Sequence, residues 1–198
     1  MNDQKSGIFT PKGEISFRRY GAVEAQRLGD VVEELYVRSY VEKIKIGDPF
    51  DSVEAFMRRF HAYSANPDLD LLIAYLDGKA VGQTWGWPLT KRTMWWEGLL
   101  AEPEPNFTHE TGCRTFALSE IMVSQEYAGK GLAHALHDRL LAARPEPRAT
   151  LLVELDNMRA YRAYLHWGWR KVAQLRPGWA DAPMYNVLIL TLERACKD

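Results

Sequence analysis

A mixed α/β fold is what this sequence predicts. Phe116–Val123 is apolar with few breaks, as expected of a buried strand. After a polar, glycine-bearing turn at Gln125–Lys130, the residues Leu132, Leu136 and Leu140 recur at helix spacing until Pro145. Arg148–Leu155 is again a near-continuous apolar run. Strand, helix and strand in that order imply a parallel pair joined by a right-handed crossover.

The other elements follow in chain order. Residues 1–13 read as a flexible tail, with residues 14–198 as a single domain. Glu14–Tyr20 alternates through Ile15 and Phe17 as a first strand. Leu28, Val31, Val32, Leu35, Tyr36, Ser39 and Tyr40 share one helical face, so one amphipathic helix is expected over about 22–43. Asp51 with Glu54 has the form of a capping box opening a second helix that ends before Pro67. Leu69–Leu76 and Ala80–Trp87 form a hairpin across Asp77-Gly78. The segment 90–115 is irregular and holds Trp95-Trp96, an acidic loop and His109. Asp156 or Asn157 caps a helix bearing Ala160, Tyr161, Tyr164 and Leu165 on one face, with Gly168 at its C-terminal stop. Trp169–Leu175 and Tyr185–Leu192 are the last strands, giving β-α-α-β-β-β-α-β-α-β-β.

Composition narrows the function. A hydrophobic fraction of 46% with 26% charged residues is that of a globular chain able to bury its own core. The net charge of −1 argues against a nucleic-acid partner, which favours a basic face. No apolar run reaches the roughly 18 residues of a membrane span. Met1–Ser6 is polar and unlike a secretion signal, so a cytoplasmic location is expected. The 2 cysteines, Cys113 and Cys196, are far apart and imply neither a disulfide scaffold nor a metal site.

The chemistry centres on the turn before Leu132. The first N–H groups of a helix lack intrahelical partners and its dipole makes that end positive. With Gly129 and Gly131 in front, the product is an anion site, most often for phosphate. A Walker loop fails because Gly131 is followed by Leu132, and a Rossmann fingerprint fails because His134 stands at its third glycine.

The run Ala128-Gly129-Lys130-Gly131-Leu132-Ala133 does resemble the acyl-CoA motif [QR]-x-x-G-x-[GA] of the GCN5-related N-acetyltransferase (GNAT) family, with Ala128 replacing the leading Gln or Arg. Residues 157–169 resemble the same family's N-x-x-A-x-x-x-Y-x-x-x-G-[FW], filled by Asn157, Ala160, Tyr164, Gly168 and Trp169. The resemblance implies a mixed sheet whose parallel central strands splay where acetyl-CoA enters. It implies backbone contacts to the diphosphate from Ala128, Gly129, Lys130, Gly131, Leu132, Ala133 and His134. Ile121, Met122 and Val123 would offer main chain to the pantetheine arm, in the manner of an added strand. Asn157 would also touch that arm, although a helix cap is its plainer role.

Tyr164 is the catalytic candidate implied by the motif, protonating the thiolate of coenzyme A. Its alternative is an aromatic on the core face of a helix, and Tyr161 stands in reserve. Glu120 interrupts an apolar strand, where a lone carboxylate is costly unless paired or facing a cavity. It could take the acceptor amine's proton, or be a buried ion-pair partner of an arginine. His134 and His137 read as surface or packing residues, and His109 as a remote candidate. The tryptophans Trp85, Trp87, Trp95 and Trp96 suggest an aromatic-lined acceptor pocket, with core packing as the alternative.

The resulting expectation is an acetyl-CoA-dependent N-acetyltransferase with no metal, acting on a primary amine of a small molecule or peptide in a ternary complex. A transferase of a longer acyl group and a non-catalytic acyl-CoA-binding module are the alternatives, and pairing into a homodimer is left open.

Overall fold

The alternating pattern is realised as a seven-stranded mixed sheet of order β1-β2-β3-β4-β5-β7-β6 in the computed structural model, which describes residues 13–178 and 182–192. The strands are β1 (Ile15–Gly21), β2 (Asp70–Leu76), β3 (Lys79–Pro88), β4 (Thr115–Val123), β5 (Arg148–Glu154), β6 (Arg170–Leu175) and β7 (Tyr185–Thr191). The helices are α1 (Ala22–Gln26), α2 (Gly29–Ser39), α3 (Val41–Ile46), α4 (Val53–Ser64), α5 (Leu132–Ala142) and α6 (Met158–His166). Most of the tail expected over 1–13, and Cys196, lie outside the described residues. Among the described residues, no helix is long and apolar enough to cross a membrane.

The contacts divide the chain into two compact units. The first comprises the chain up to Gly86 together with Glu120–Ala142. The second comprises Trp87–Ser119 and the chain from Ala143 onward.

In the first unit β1, β2 and β3 form an antiparallel ladder, and Asp77 and Gly78 turn the hairpin with positive φ of 48° and 81°. Helix α5 lies close to this sheet because Gly82 has no side chain. A Cβ there would meet Leu136 Cδ1 at 3.0 Å and the Met122 carbonyl at 3.2 Å. Arg19 clamps the far end of α5, donating to the Arg139 carbonyl at 2.8 Å and pairing with Asp70 at 3.3 Å.

Two expectations need correction here. The single helix over 22–43 is three pieces, because the chain turns at Arg27-Leu28 and again at Tyr40. Gly29 therefore opens α2 rather than weakening a helix interior. The cap of α4 is Ser52 and not Asp51: the Ser52 hydroxyl accepts from the Ala55 N–H at 3.2 Å, while Asp51 ends a short 3-10 turn.

In the second unit β5, β6 and β7 pair antiparallel, and β5 pairs parallel with β4 over Thr115–Ala117 against Arg148–Thr150. That ladder covers three residue pairs of a nine-residue strand. The irregular segment 89–114 is well anchored. The Leu89 N–H bonds the Thr115 carbonyl, Leu99 bridges Leu175, and the core gathers Leu89, Trp96, Phe107, Ala117, Leu175, Val187 and Ile189. Gly98, at φ 80°, is required there, since any Cβ would collide with the Arg176 carbonyl.

Candidate active site

Within the first unit, the C-terminal half of β4 runs into the glycine turn and so into α5. A short 3-10 turn, Gln125–Tyr127, reverses the chain and the Ala128 N–H closes it on the Gln125 carbonyl at 3.1 Å. Gly129 and Gly131 follow at φ 73° and 85°, left-handed values that other residues adopt only at a cost of roughly 1–2 kcal/mol. The ladder of α5 begins where the Ala135 N–H meets the Gly131 carbonyl at 3.0 Å. The amides of Leu132 and Ala133 precede it and face out of the helix start, at its positive end.

Space exists there for an anion. Ala128, Gly129 and Lys130 are exposed, and nothing lies within 4 Å of where a Gly129 Cβ would project. Lys130 is held beside the turn, donating to the Glu126 carbonyl at 2.7 Å. Arg38 steadies the turn from α2, through Glu126 at 2.7 Å and the Ala80 carbonyl at 2.9 Å. Gly131, Ala133 and His134 are half-buried, and Leu132 is a core residue. This is the arrangement expected of a diphosphate cradle. On β4, Met122 is buried while Ile121 and Val123 are half-buried, so alternation puts Ile121 and Val123 on the opposite side from Met122.

Glu120 also shares its side of β4 with Leu118 and Met122, but unlike them it is only half-buried. Its carboxylate accepts a hydrogen bond from the Tyr40 hydroxyl at 3.2 Å. Burial pushes its pKa up to about 7 against the pull of Tyr40, Arg59, the Ile121 backbone and Lys43. The partner is thus a phenol, where the sequence left room for an arginine ion pair. Glu120 in turn raises the pKa of Tyr36 and Tyr63, for which burial is the main cause; Tyr36 reaches about 12. A carboxyl near 7 is half-ionised at neutral pH, as a general base should be.

Sequence reasoning missed the residues around Glu120. By spacing alone Tyr36 and Tyr40 belong to one apolar helix face. They stack at 4.9 Å, and Tyr36 stacks on Phe56 at 3.8 Å and donates to the Asp51 carbonyl. The signal was a pair of tyrosines at i and i+4, whose hydroxyls need partners when packed inward.

In the second unit, the Asn157 Oδ1 caps α6 by accepting from the Ala160 N–H at 3.2 Å. Its amide NH2 end and the second lone pair of Oδ1 are not used by the cap. Tyr164 is the buried residue of α6, its ring edge-on to Trp167 at 5.5 Å and to Trp169 at 6.1 Å. That packing fixes the ring. Leu165, expected on the inner face, is 42% exposed, since one residue past Tyr164 lies about 100° around the helix.

Trp85 is buried against Phe56 and Phe60 in the first unit. Trp87, Trp95 and Trp96 pack in the core of the second.

A comparison with family profiles matches the acetyltransferase (GNAT) family over residues 30–169. No curated protein sequence matches the chain significantly. Among solved structures, an acetyltransferase from Thermus thermophilus superposes with a TM-score of 0.61 at 14% identity, covering 90% of this chain and 97% of that one. The ribosomal-protein-S18-alanine N-acetyltransferase from Escherichia coli gives 0.60 at 14% identity, covering 93% and 98%. The PaiA N-acetyltransferase from Thermoplasma acidophilum, in complex with coenzyme A, gives 0.52 at 13% identity, covering 90% and 99%. At such identities the likeness is one of fold.

Proposed function

We propose, because the chain belongs to the acetyltransferase (GNAT) family, that it transfers an acetyl group from acetyl-CoA to a primary amine of a small molecule or peptide. The observation that carries this reading is the open head of α5, where two left-handed glycines expose helix-start amides directly after β4. In this reading the amides from Ala128 to His134 hold the diphosphate. The main chain of Ile121, Met122 and Val123 pairs with the pantetheine amides, and the Asn157 amide group adds a polar hold.

Glu120 takes a proton from the ammonium form of the acceptor, directly or through a water. The free amine then attacks the thioester carbonyl, the C–S bond breaks as the nitrogen sheds its remaining extra proton to water, and Tyr164 gives a strong hydrogen bond to the departing thiolate, or its proton, which it then regains from water. Acyl transfer is direct, with no acyl-enzyme. A phenol with a reference pKa of about 10 helps a thiolate of about 8.5 chiefly through positioning, and the packed ring of Tyr164 suits that role.

One feature favours a non-catalytic acyl-CoA-binding module: Ala128 provides no side-chain donor at the position where the family motif has Gln or Arg. The test is release of free thiol from acetyl-CoA across a panel of amines. At least one amine is expected to turn over, with Tyr164→Phe lowering kcat by about 10²-fold at unchanged coenzyme A affinity. A chain that binds coenzyme A yet turns over no amine is the module instead.

A further inference from the structure

We infer that one face of α5 carries a site for a divalent transition metal ion, formed by His134, His137 and Asp138. One ligand atom from each lies within 4.8 Å of the other two. The carboxylate is already held by both rings: Asp138 Oδ1 is 3.3 Å from His134 Nε2 and 2.8 Å from His137 Nδ1. Positions i, i+3 and i+4 lie on one helical face, so the backbone brings the three donors together without a loop to order.

Their exposures are complementary. The His137 side chain is 4% exposed and so is fixed by packing, whereas His134 and Asp138 are 43% and 58% exposed and open the site to solvent. Two imidazoles and one carboxylate suit Zn²⁺, Co²⁺ or Ni²⁺, and are a poor match for the all-oxygen shells of Mg²⁺ and Ca²⁺. Three protein donors leave coordination positions for water or an anion. The spacing H-x-x-H-D was visible in the sequence, but only the helix shows that all three donors share a face.

The site uses side chains and not the helix-start amides, and its test needs no turnover. Calorimetric titration of the full chain, stripped of metal by a chelator, with Zn²⁺ should show a single saturable equivalent. Co²⁺ should bind with the visible absorption of a mixed nitrogen and oxygen shell. Asp138→Asn, at an exposed position, and His134→Ala, at a half-buried one, should each weaken Zn²⁺ binding by about tenfold or more. An absence of binding overturns the inference. So does binding that both variants leave unchanged, which would place the ion elsewhere, or equal competition by Mg²⁺.

Discussion

Two carboxylates, Glu120 and Glu110, are held in contrasting ways. Glu110 is 3% exposed, and its Oε1 accepts from Trp96 Nε1 at 3.2 Å, Thr115 Oγ1 at 2.8 Å and Arg148 Nη2 at 3.1 Å. Arg148 continues that network to the Thr115 hydroxyl and the Phe107 carbonyl. Glu120 is only half-buried, takes its hydrogen bond from a neutral phenol, and feels Arg59 and Lys43 through space. A guanidinium within reach makes Glu110 a fastener between the segment 89–114 and the strands β4 and β5. A phenol leaves Glu120 free to exchange its proton near neutral pH. The residue type alone does not separate a fastener such as Glu110 from a carboxyl proposed as a base; the partner does.

The contrast is sharpest under substitution. Glu120→Gln should lower kcat/KM by about 10²–10⁴-fold while leaving coenzyme A affinity intact. The wild-type rate should rise with pH through about 7, and the variant should lose that limb. Stability should move the other way. A carboxyl raised from 4.5 to about 7 on folding costs stability as pH climbs between those values. The variant should therefore be more stable than wild type by about 3 kcal/mol well above pH 7, and lose that advantage toward pH 4.5. Equal pH dependence of unfolding in both proteins would contradict the assignment.

Glu110→Gln should do the reverse. It leaves the half-buried Arg148 charge without its counter-charge, and chemical denaturation should show a loss of about 3–5 kcal/mol. The surviving folded protein should keep its turnover. A loss of turnover without loss of stability would erase the distinction between the two carboxylates.

The smallest effect tests the phenol. Tyr40→Phe removes a hydrogen bond that favours the ionised form of Glu120. The acidic limb of the rate profile should move upward by about one pH unit, the equivalent of roughly 1.4 kcal/mol. An unmoved limb would mean that another group sets it.

The sequence made the local features of this site legible and left the distant ones hidden. The strand, glycine turn and helix over 116–142 lie where periodicity put them, and so do Asn157 and Gly168 at the two ends of α6, because each is set by neighbours a few residues away. Glu120 stood out because an apolar strand makes a carboxylate conspicuous. Its partner Tyr40 lies 80 residues earlier, and nothing in a linear pattern joins the two. Glu110 escaped notice for the opposite reason: it sits in an irregular acidic stretch where a carboxylate looks ordinary. The three-piece first helix was hidden because apolar spacing continues through Arg27-Leu28 and Tyr40 even though the backbone turns there.

In the proposed acyl transfer, the amides at the head of α5 hold the diphosphate of coenzyme A. Native mass spectrometry of the full chain with added coenzyme A reads that directly. The expected result is one coenzyme A per chain, lost in Gly129→Val, whose side chain would fill the open space and strain the left-handed turn. No adduct on the wild-type chain, or one that survives in Gly129→Val, would contradict it.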